Sequence, residues 1–133
     1  MRPVFADTFF YLALFNRSDE SHERAMRWSR DNTRPLTVTG FVVLELGNIM
    51  RKTGSRQRFV AIVRDMHRDP GTILIPASAE LFDAGLDLYA RRADKDWSLT
   101  DCISLVVMER EGLKEALTAD RHFEQAGFQA LLL

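Results

Sequence analysis

The chain has 133 residues, 46% of them hydrophobic and 28% charged, which is the size and composition of one ordinary globular domain, and we expect a single domain over residues 1–133. Its 18 basic and 19 acidic side chains give a formal net charge of −1, which excludes a protein that holds nucleic acid mainly by a strongly basic surface. The single cysteine, Cys102, excludes an intramolecular disulfide, and neither a secretory leader nor a membrane span is apparent. We therefore expect a cytoplasmic protein with no membrane partner.

Short strands and helices are predicted to alternate along the whole chain, because the period of the apolar residues changes repeatedly. In chain order they are strand 4–6, helices 8–15 and 20–30, strand 36–38, helices 39–52 and 56–68, strand 72–76, helix 78–92, helix 101–110, strand 116–118, helical turn 121–125 and a closing segment 128–132. Such alternation is typical of an α/β fold with a mostly parallel sheet and helices on both faces.

Three acidic residues occupy positions where a parallel sheet gathers its ligands. Asp7 directly follows the first predicted strand, and Asp120 follows the strand at 116–118. Asp101 opens a helix whose body, residues 102–108, is nearly all apolar, so we expect it to be half buried. Because the loops at the carboxyl ends of parallel strands converge, these acids are expected to lie near one crevice.

Glu45 interrupts residues 41–50, a predicted helix that is otherwise mostly apolar. Burying an unpaired charge costs several kcal/mol, so this carboxylate needs a partner. A bound cation is one partner, and an ion pair with the nearby Arg51 or Arg56 is the alternative.

The other acids also have an ordinary structural interpretation. Asp7 and Asp120 are placed to cap the helices that follow them. Asp101 is spaced from Ser98 as the last member of a capping box. Four acids at strand ends and on buried helix faces are nevertheless better explained by one shared cation site than by four separate causes.

Four segments make the chain resemble a PIN domain, specifically a VapC-type toxin. They are residues 4–8, Glu45 in the third helix, residues 97–104 and residues 117–128. The resemblance covers essentially the whole chain. It implies a three-layer α/β/α sandwich, a Mg²⁺ or Mn²⁺ ion held by carboxylates, endoribonuclease activity, a homodimer, and neutralisation by a cognate antitoxin protein of a type II toxin–antitoxin pair.

The resemblance also assigns the site. The catalytic and metal-binding acids correspond to Asp7, Glu45, Asp101 and Asp120. Thr8 and Thr118 match hydroxyl positions that would hydrogen-bond the carboxylates, with ordinary turn hydroxyls as the alternative. A metal-activated water would hydrolyse the RNA phosphodiester. Some relatives carry a further acid where this chain has His122, so we expect one firmly held ion.

Substrate RNA needs positive charge near these acids. The densest basic segment contains Arg51, Lys52 and Arg56, and Arg121 adjoins Asp120. Cations at a solvated helix end are the alternative explanation for that segment. Trp97 is expected in the core rather than against a base.

Two other functions remain open. One is a noncatalytic PIN-like module that binds RNA or protein, and the other is a receiver-type signalling domain, which also gathers acids around Mg²⁺ at strand ends. The latter is disfavoured because Asp7 has no adjacent acid. His22, His67 and His122 stand singly and show no zinc-binding spacing.

Overall fold

A computed structural model describes residues 1–133 and contains one five-stranded sheet. The strands are β1 (Val4–Ala6), β2 (Leu36–Thr39), β3 (Thr72–Ile75), β4 (Glu115–Leu117) and β5 (Gln129–Ala130). They lie in the order β3-β2-β1-β4-β5, and every neighbouring pair is parallel. The predicted α/β class is confirmed. The order differs from the 2-1-3-4-5 order of receiver-type domains, which argues against the signalling alternative.

Seven helices connect the strands. They are α1 (Thr8–Phe15), α2 (His22–Asp31), α3 (Gly40–Ile49), α4 (Arg56–Arg68), α5 (Ala79–Arg91), α6 (Leu99–Glu111) and α7 (Arg121–Gln125). Because crossovers between parallel strands are right-handed, α1 to α4 cover one face of the sheet and α5 to α7 the other. The result is the expected three-layer sandwich, and none of the helices is long and apolar enough to cross a membrane.

Local signals in the sequence explain where several helices begin and end. The hydroxyl of Thr39 accepts a hydrogen bond from the backbone of Val42 at the start of α3. Gly112 ends α6 with φ +68°, a left-handed conformation that favours glycine. The predicted start of α6 at Asp101 was two residues late, because Ser98 is the N-cap and Asp101 is the third helical residue.

The core forms one cluster of 24 buried side chains around β1 and α6. Trp97 is 6% exposed, and its indole N–H donates to Oε1 of Gln125, so the expected core position is confirmed. Cys102 is buried as well. Tyr11 of α1 is also buried, so it offers no exposed apolar contact to a partner.

Candidate metal centre

The sheet order places the acids at a point where the chain reverses direction across the sheet. From β1 the chain moves through β2 to β3, and it then returns to β4 on the other side of β1. The loops after β1 and β4 therefore leave on opposite faces, and a crevice opens between them. Asp7 follows β1 and Asp120 lies in the loop after β4, so both stand at this crevice.

Asp7 is held inside the protein by a side chain and not by a helix cap. It is 6% exposed, and the hydroxyl of Thr118 donates to its Oδ2 at 2.9 Å. It precedes α1 but accepts no capping hydrogen bond, so the capping alternative fails for this acid. Burial raises the pKa of Asp7 to about 7, hydrogen bonds from the Thr118 hydroxyl and the Thr8 backbone oppose the rise, and the charges of Asp101 and Glu45 add to it. The negative charges of Asp101 and Glu45 thus act on the ionisation of Asp7.

Asp101 both caps α6 and contacts another side chain in the crevice. Its Oδ2 accepts from the backbone of Ser98 at 3.1 Å and completes the predicted capping box. The same oxygen lies 2.9 Å from Nδ1 of His122. The side chain is 13% exposed, and burial raises the pKa of Asp101 although Ser98 and His122 oppose the rise. The capping role and a role in the crevice are therefore compatible.

Asp120 contacts both Thr118 and His122 in the crevice. Its Oδ1 caps α7 by accepting from the backbone of His122 at 2.9 Å, and it lies 3.2 Å from the ring Nδ1 of the same residue. The backbone N–H of Asp120 donates to the hydroxyl of Thr118. Thr118 consequently links Asp7 to Asp120.

His122 is the residue of this cluster that the sequence reasoning missed. Potential ligand atoms of Asp101, Asp120 and His122 all lie within 4.8 Å of one another. The sequence offered a weak signal, since His122 follows the strand-end acid Asp120 at an interval of two. From the sequence, His122 is considered only as a histidine without zinc-binding spacing and as the replacement of an acid in some relatives, and its contact with Asp101 joins residues 21 positions apart.

Glu45 lies in the middle of α3 and is half buried. The helix around Glu45 is not buried on most of its circumference, which corrects the expectation, because Leu44 is 61% exposed and Ile49 is 48% exposed. The alternative of an ion pair with Arg51 or Arg56 is not supported either. Both arginines donate to backbone carbonyl oxygens near the end of α3.

The predicted RNA-binding residues do not form one group. Arg51, Lys52 and Arg56 all lie beyond the C-terminal end of α3, whereas Glu45 lies in the middle of that helix. Arg121 is exposed and begins α7 directly after Asp120. Of the four basic residues, Arg121 is the one that adjoins the crevice.

The donor atoms at the crevice fit a divalent cation. Carboxylate oxygens are the ligands that Mg²⁺ and Mn²⁺ prefer. The hydroxyl of Thr8, next to Asp7, is buried without a hydrogen-bond partner, which is uncommon for a buried polar group. The ligand atoms that converge are those of Asp101, Asp120 and His122, and neither Asp7 nor Glu45 is part of that group. Asp7 is connected to it through the Thr118 hydroxyl and through the charge of Asp101.

Comparisons with known proteins agree with this architecture. The profile of a family described as PIN domain matches residues 4–129. The 23S rRNA-specific endonuclease VapC20 of Mycobacterium tuberculosis is 26% identical, over 94% of this chain and 95% of its own length. The crystal structure of VapC20, described as a sarcin-ricin loop cleaving toxin, superposes with a TM-score of 0.84 at 23% identity, covering 94% of this chain and 95% of that one. That of FitAcB from Neisseria gonorrhoeae gives a TM-score of 0.67 at 14% identity, covering 96% and 94%.

Proposed function

The chain belongs to the PIN-domain family, and from this premise we propose that it is a metal-dependent endoribonuclease, the toxin of a type II toxin–antitoxin pair. One observation carries the proposal. Burial raises the pKa of Asp7 to about 7, the charges of Asp101 and Glu45 add to the rise, and the hydrogen bonds to this carboxylate come from neutral donors, the Thr118 hydroxyl and the Thr8 backbone. Acids with pKa values shifted by burial cluster at functional sites, and a bound cation would offset the charge of this one.

The ion in this proposal is Mg²⁺ or Mn²⁺, held by Asp7 and Asp101, with Asp120 and Glu45 as further ligands or as acceptors for its waters. Such an ion, when bound, lowers the pKa of coordinated water and offsets the negative charge that develops on a phosphodiester. The chain's own contribution is orientation. Thr118 fixes the direction of the Asp7 carboxylate and the position of Asp120, and the capping box fixes Asp101.

The substrate is proposed to be RNA. Arg121, exposed beside Asp120, is the proposed phosphate contact at the crevice. Arg51, Lys52 and Arg56 are proposed to contact RNA further from the scissile bond. The name of the VapC20 relative specifies 23S rRNA, so ribosomal RNA is the first substrate to test.

Two protein partners complete the proposal. An antitoxin would neutralise the crevice by inserting an arginine against its carboxylates. A homodimer is supported by exposed apolar side chains, Leu44 on α3 and Phe82, Leu86 and Tyr89 on α5, two helices whose Phe41 and Phe82 rings lie 6.5 Å apart. Light scattering of the purified chain measures the dimer. The proposed location, with the RNA, is the cytoplasm.

The decisive experiment is cleavage of total RNA by the purified chain with Mg²⁺, with Mn²⁺ or with a chelator. We expect cleavage with either ion, none with chelator, and a loss of about 100-fold or more in Asp7→Asn, since even outer-shell changes at metal sites cost ~10–100-fold. Asp31→Asn, an exposed acid at the end of α2, is the matched control and should cleave normally. Equal cleavage in chelator, or by Asp7→Asn, would refute the proposal. Binding of RNA without cleavage would favour the noncatalytic alternative.

A further inference from the structure

The ring of His122 lies between two acids of the candidate metal centre. Its Nδ1 is 2.9 Å from Oδ2 of Asp101 and 3.2 Å from Oδ1 of Asp120. The side chain is 27% exposed, and its backbone N–H is fixed by the capping carboxylate of Asp120. The ring is therefore positioned by the loop that delivers Asp120 and reaches across to α6.

These separations suit three ligands of one ion. Two ligand atoms at right angles around an ion, each ~2.1 Å from it, are themselves about 3 Å apart. The 2.9 Å and 3.2 Å separations are compatible with that value, and the 2.9 Å separation is equally that of a hydrogen bond. A nitrogen atom thus lies within 3.2 Å of two carboxylates, and potential ligand atoms of the three residues fall within 4.8 Å of one another.

The chemistry of a nitrogen ligand differs from that of a fourth carboxylate. Mg²⁺ is small and hard and is bound almost entirely through oxygen. First-row transition metal ions accept imidazole readily, and it is the softer member of a mixed oxygen and nitrogen site. A histidine at this place should consequently change which ion the crevice selects.

We propose that His122 donates a ring nitrogen to the ion that the proposed function requires, and that the site consequently binds Mn²⁺ in preference to Mg²⁺. The inference rests on the proposed function because it concerns the same ion. A different role would fit the same contacts, in which a protonated His122 shields Asp101 and Asp120 and must be displaced by the ion. In that case, removal of the imidazole would strengthen ion binding, so the two roles predict opposite results.

The test uses the full chain with substoichiometric Mn²⁺ and pulsed electron spin-echo spectroscopy, which detects ¹⁴N bound directly to Mn²⁺. We expect ¹⁴N modulation in the native chain and in His67→Gln, the control for an exposed histidine of α4. The modulation should disappear in His122→Gln and in His122→Asp. Labelling the native chain with ¹⁵N-histidine should change the modulation as well, and this arm needs no variant that must fold.

Titration calorimetry supplies the affinities. His122→Gln should bind Mn²⁺ about tenfold or more weakly, at least the loss caused by an outer-shell substitution. His122→Asp should lower the ratio of Mn²⁺ to Mg²⁺ affinity by about tenfold, because it restores an oxygen ligand.

The outcomes separate the inference from the proposed function. Bound Mn²⁺ without ¹⁴N modulation, or tighter Mn²⁺ binding by His122→Gln, overturns the role of His122 and leaves the nuclease proposal standing. ¹⁴N modulation in a chain that cleaves no RNA overturns the nuclease proposal alone. A native chain that binds Mg²⁺ but no Mn²⁺ overturns the inference and leaves the nuclease proposal standing, whereas a native chain that binds neither ion overturns both.

Discussion

The two ends of the same parallel strands treat charge in opposite ways. At the amino ends, Arg34 lies before β2 and forms a 2.7 Å ion pair with Glu115, the first residue of β4. Arg34 and Arg2 hold the pKa of Glu115 below its usual range. At the carboxyl ends, burial raises the pKa of Asp7 and of Asp101. The ion pair at the amino end stabilises the folded chain. The buried acids at the carboxyl end destabilise the folded chain as long as no cation offsets their charge.

The largest expected effect on the free energy of unfolding is that of Asp7→Asn, compared with the native chain in the presence of chelator. The ordinary pKa of Asp7 is 3.8 and its pKa in the fold is about 7, so between these values the folded chain holds a proton that the unfolded chain lacks. Stability from this group is complete below about pH 4 and falls as the pH rises through about 7. Asp7→Asn should raise the free energy of unfolding by up to roughly 4 kcal/mol at pH 8. Urea denaturation at pH 4 and pH 8 measures the difference.

At pH 4 the same substitution should have little effect, because the native side chain is then mostly protonated in the fold. Adding Mn²⁺ at pH 8 supplies a control with the opposite sign. At about 100 times the dissociation constant the ion should stabilise the native chain by ~2.7 kcal/mol and Asp7→Asn by much less. An equal gain for Asp7→Asn at both pH values would show that burial of this acid does not destabilise the fold.

A smaller effect is expected for Thr118→Val. The substitution removes the O–H that donates to Asp7 and the acceptor for the backbone of Asp120. At about 1 kcal/mol for each hydrogen bond, the loss of unfolding free energy should be ~2 kcal/mol at pH 8. It should be smaller at pH 4, where Asp7 is uncharged. Urea denaturation in chelator is the measurement.

Thr8→Val is the matched control for this substitution. Thr8 is also a buried threonine at the crevice, but its hydroxyl has no hydrogen-bond partner. Its replacement in chelator should leave the stability unchanged or slightly higher at both pH values. If Thr118→Val and Thr8→Val lower the free energy of unfolding equally, the hydrogen bond from Thr118 to Asp7 does not contribute to stability as proposed.

The sheet and most of the helices could be predicted because their signals are local. The ranges of α4 and α7 followed from the apolar spacing and from the helix-breaking residues around them. The spacing of Ser98 and Asp101 predicted a capping box, which the structure contains. Boundaries failed where a cap lies outside the apolar run. Helix α6 begins before Asp101 for this reason, and β4 ends before Thr118, which leaves that hydroxyl available to Asp7.

The crevice was only partly predictable, because its contacts join distant parts of the chain. Strand-end position was enough to select Asp7 and Asp120, since it depends only on the sheet being parallel. It could not indicate that His122 would face Asp101, a contact set by how α7 packs beside α6. It also could not indicate how far Arg51 would lie from Glu45, because basic side chains carry no periodic signal. The metal-binding and catalytic roles of the four acids stay predictions for the RNA-cleavage experiment.

The smallest expected effect lies at the amino end and has the opposite dependence on pH. Glu115→Gln removes the partner of Arg34 in a half-exposed pair, so the unfolding free energy should fall by about 1 kcal/mol at pH 7. Because the pKa of Glu115 is lowered in the fold, its contribution is present above the unfolded value and is lost as the pH falls through the folded one. The loss of unfolding free energy caused by Glu115→Gln should therefore vanish in acid, where the gain from Asp7→Asn also vanishes. Urea denaturation from pH 3 to pH 8 measures both changes, and we expect them to grow with pH in opposite directions. Curves that run in the same direction would mean that the two ends of the strands do not differ in how they hold charge.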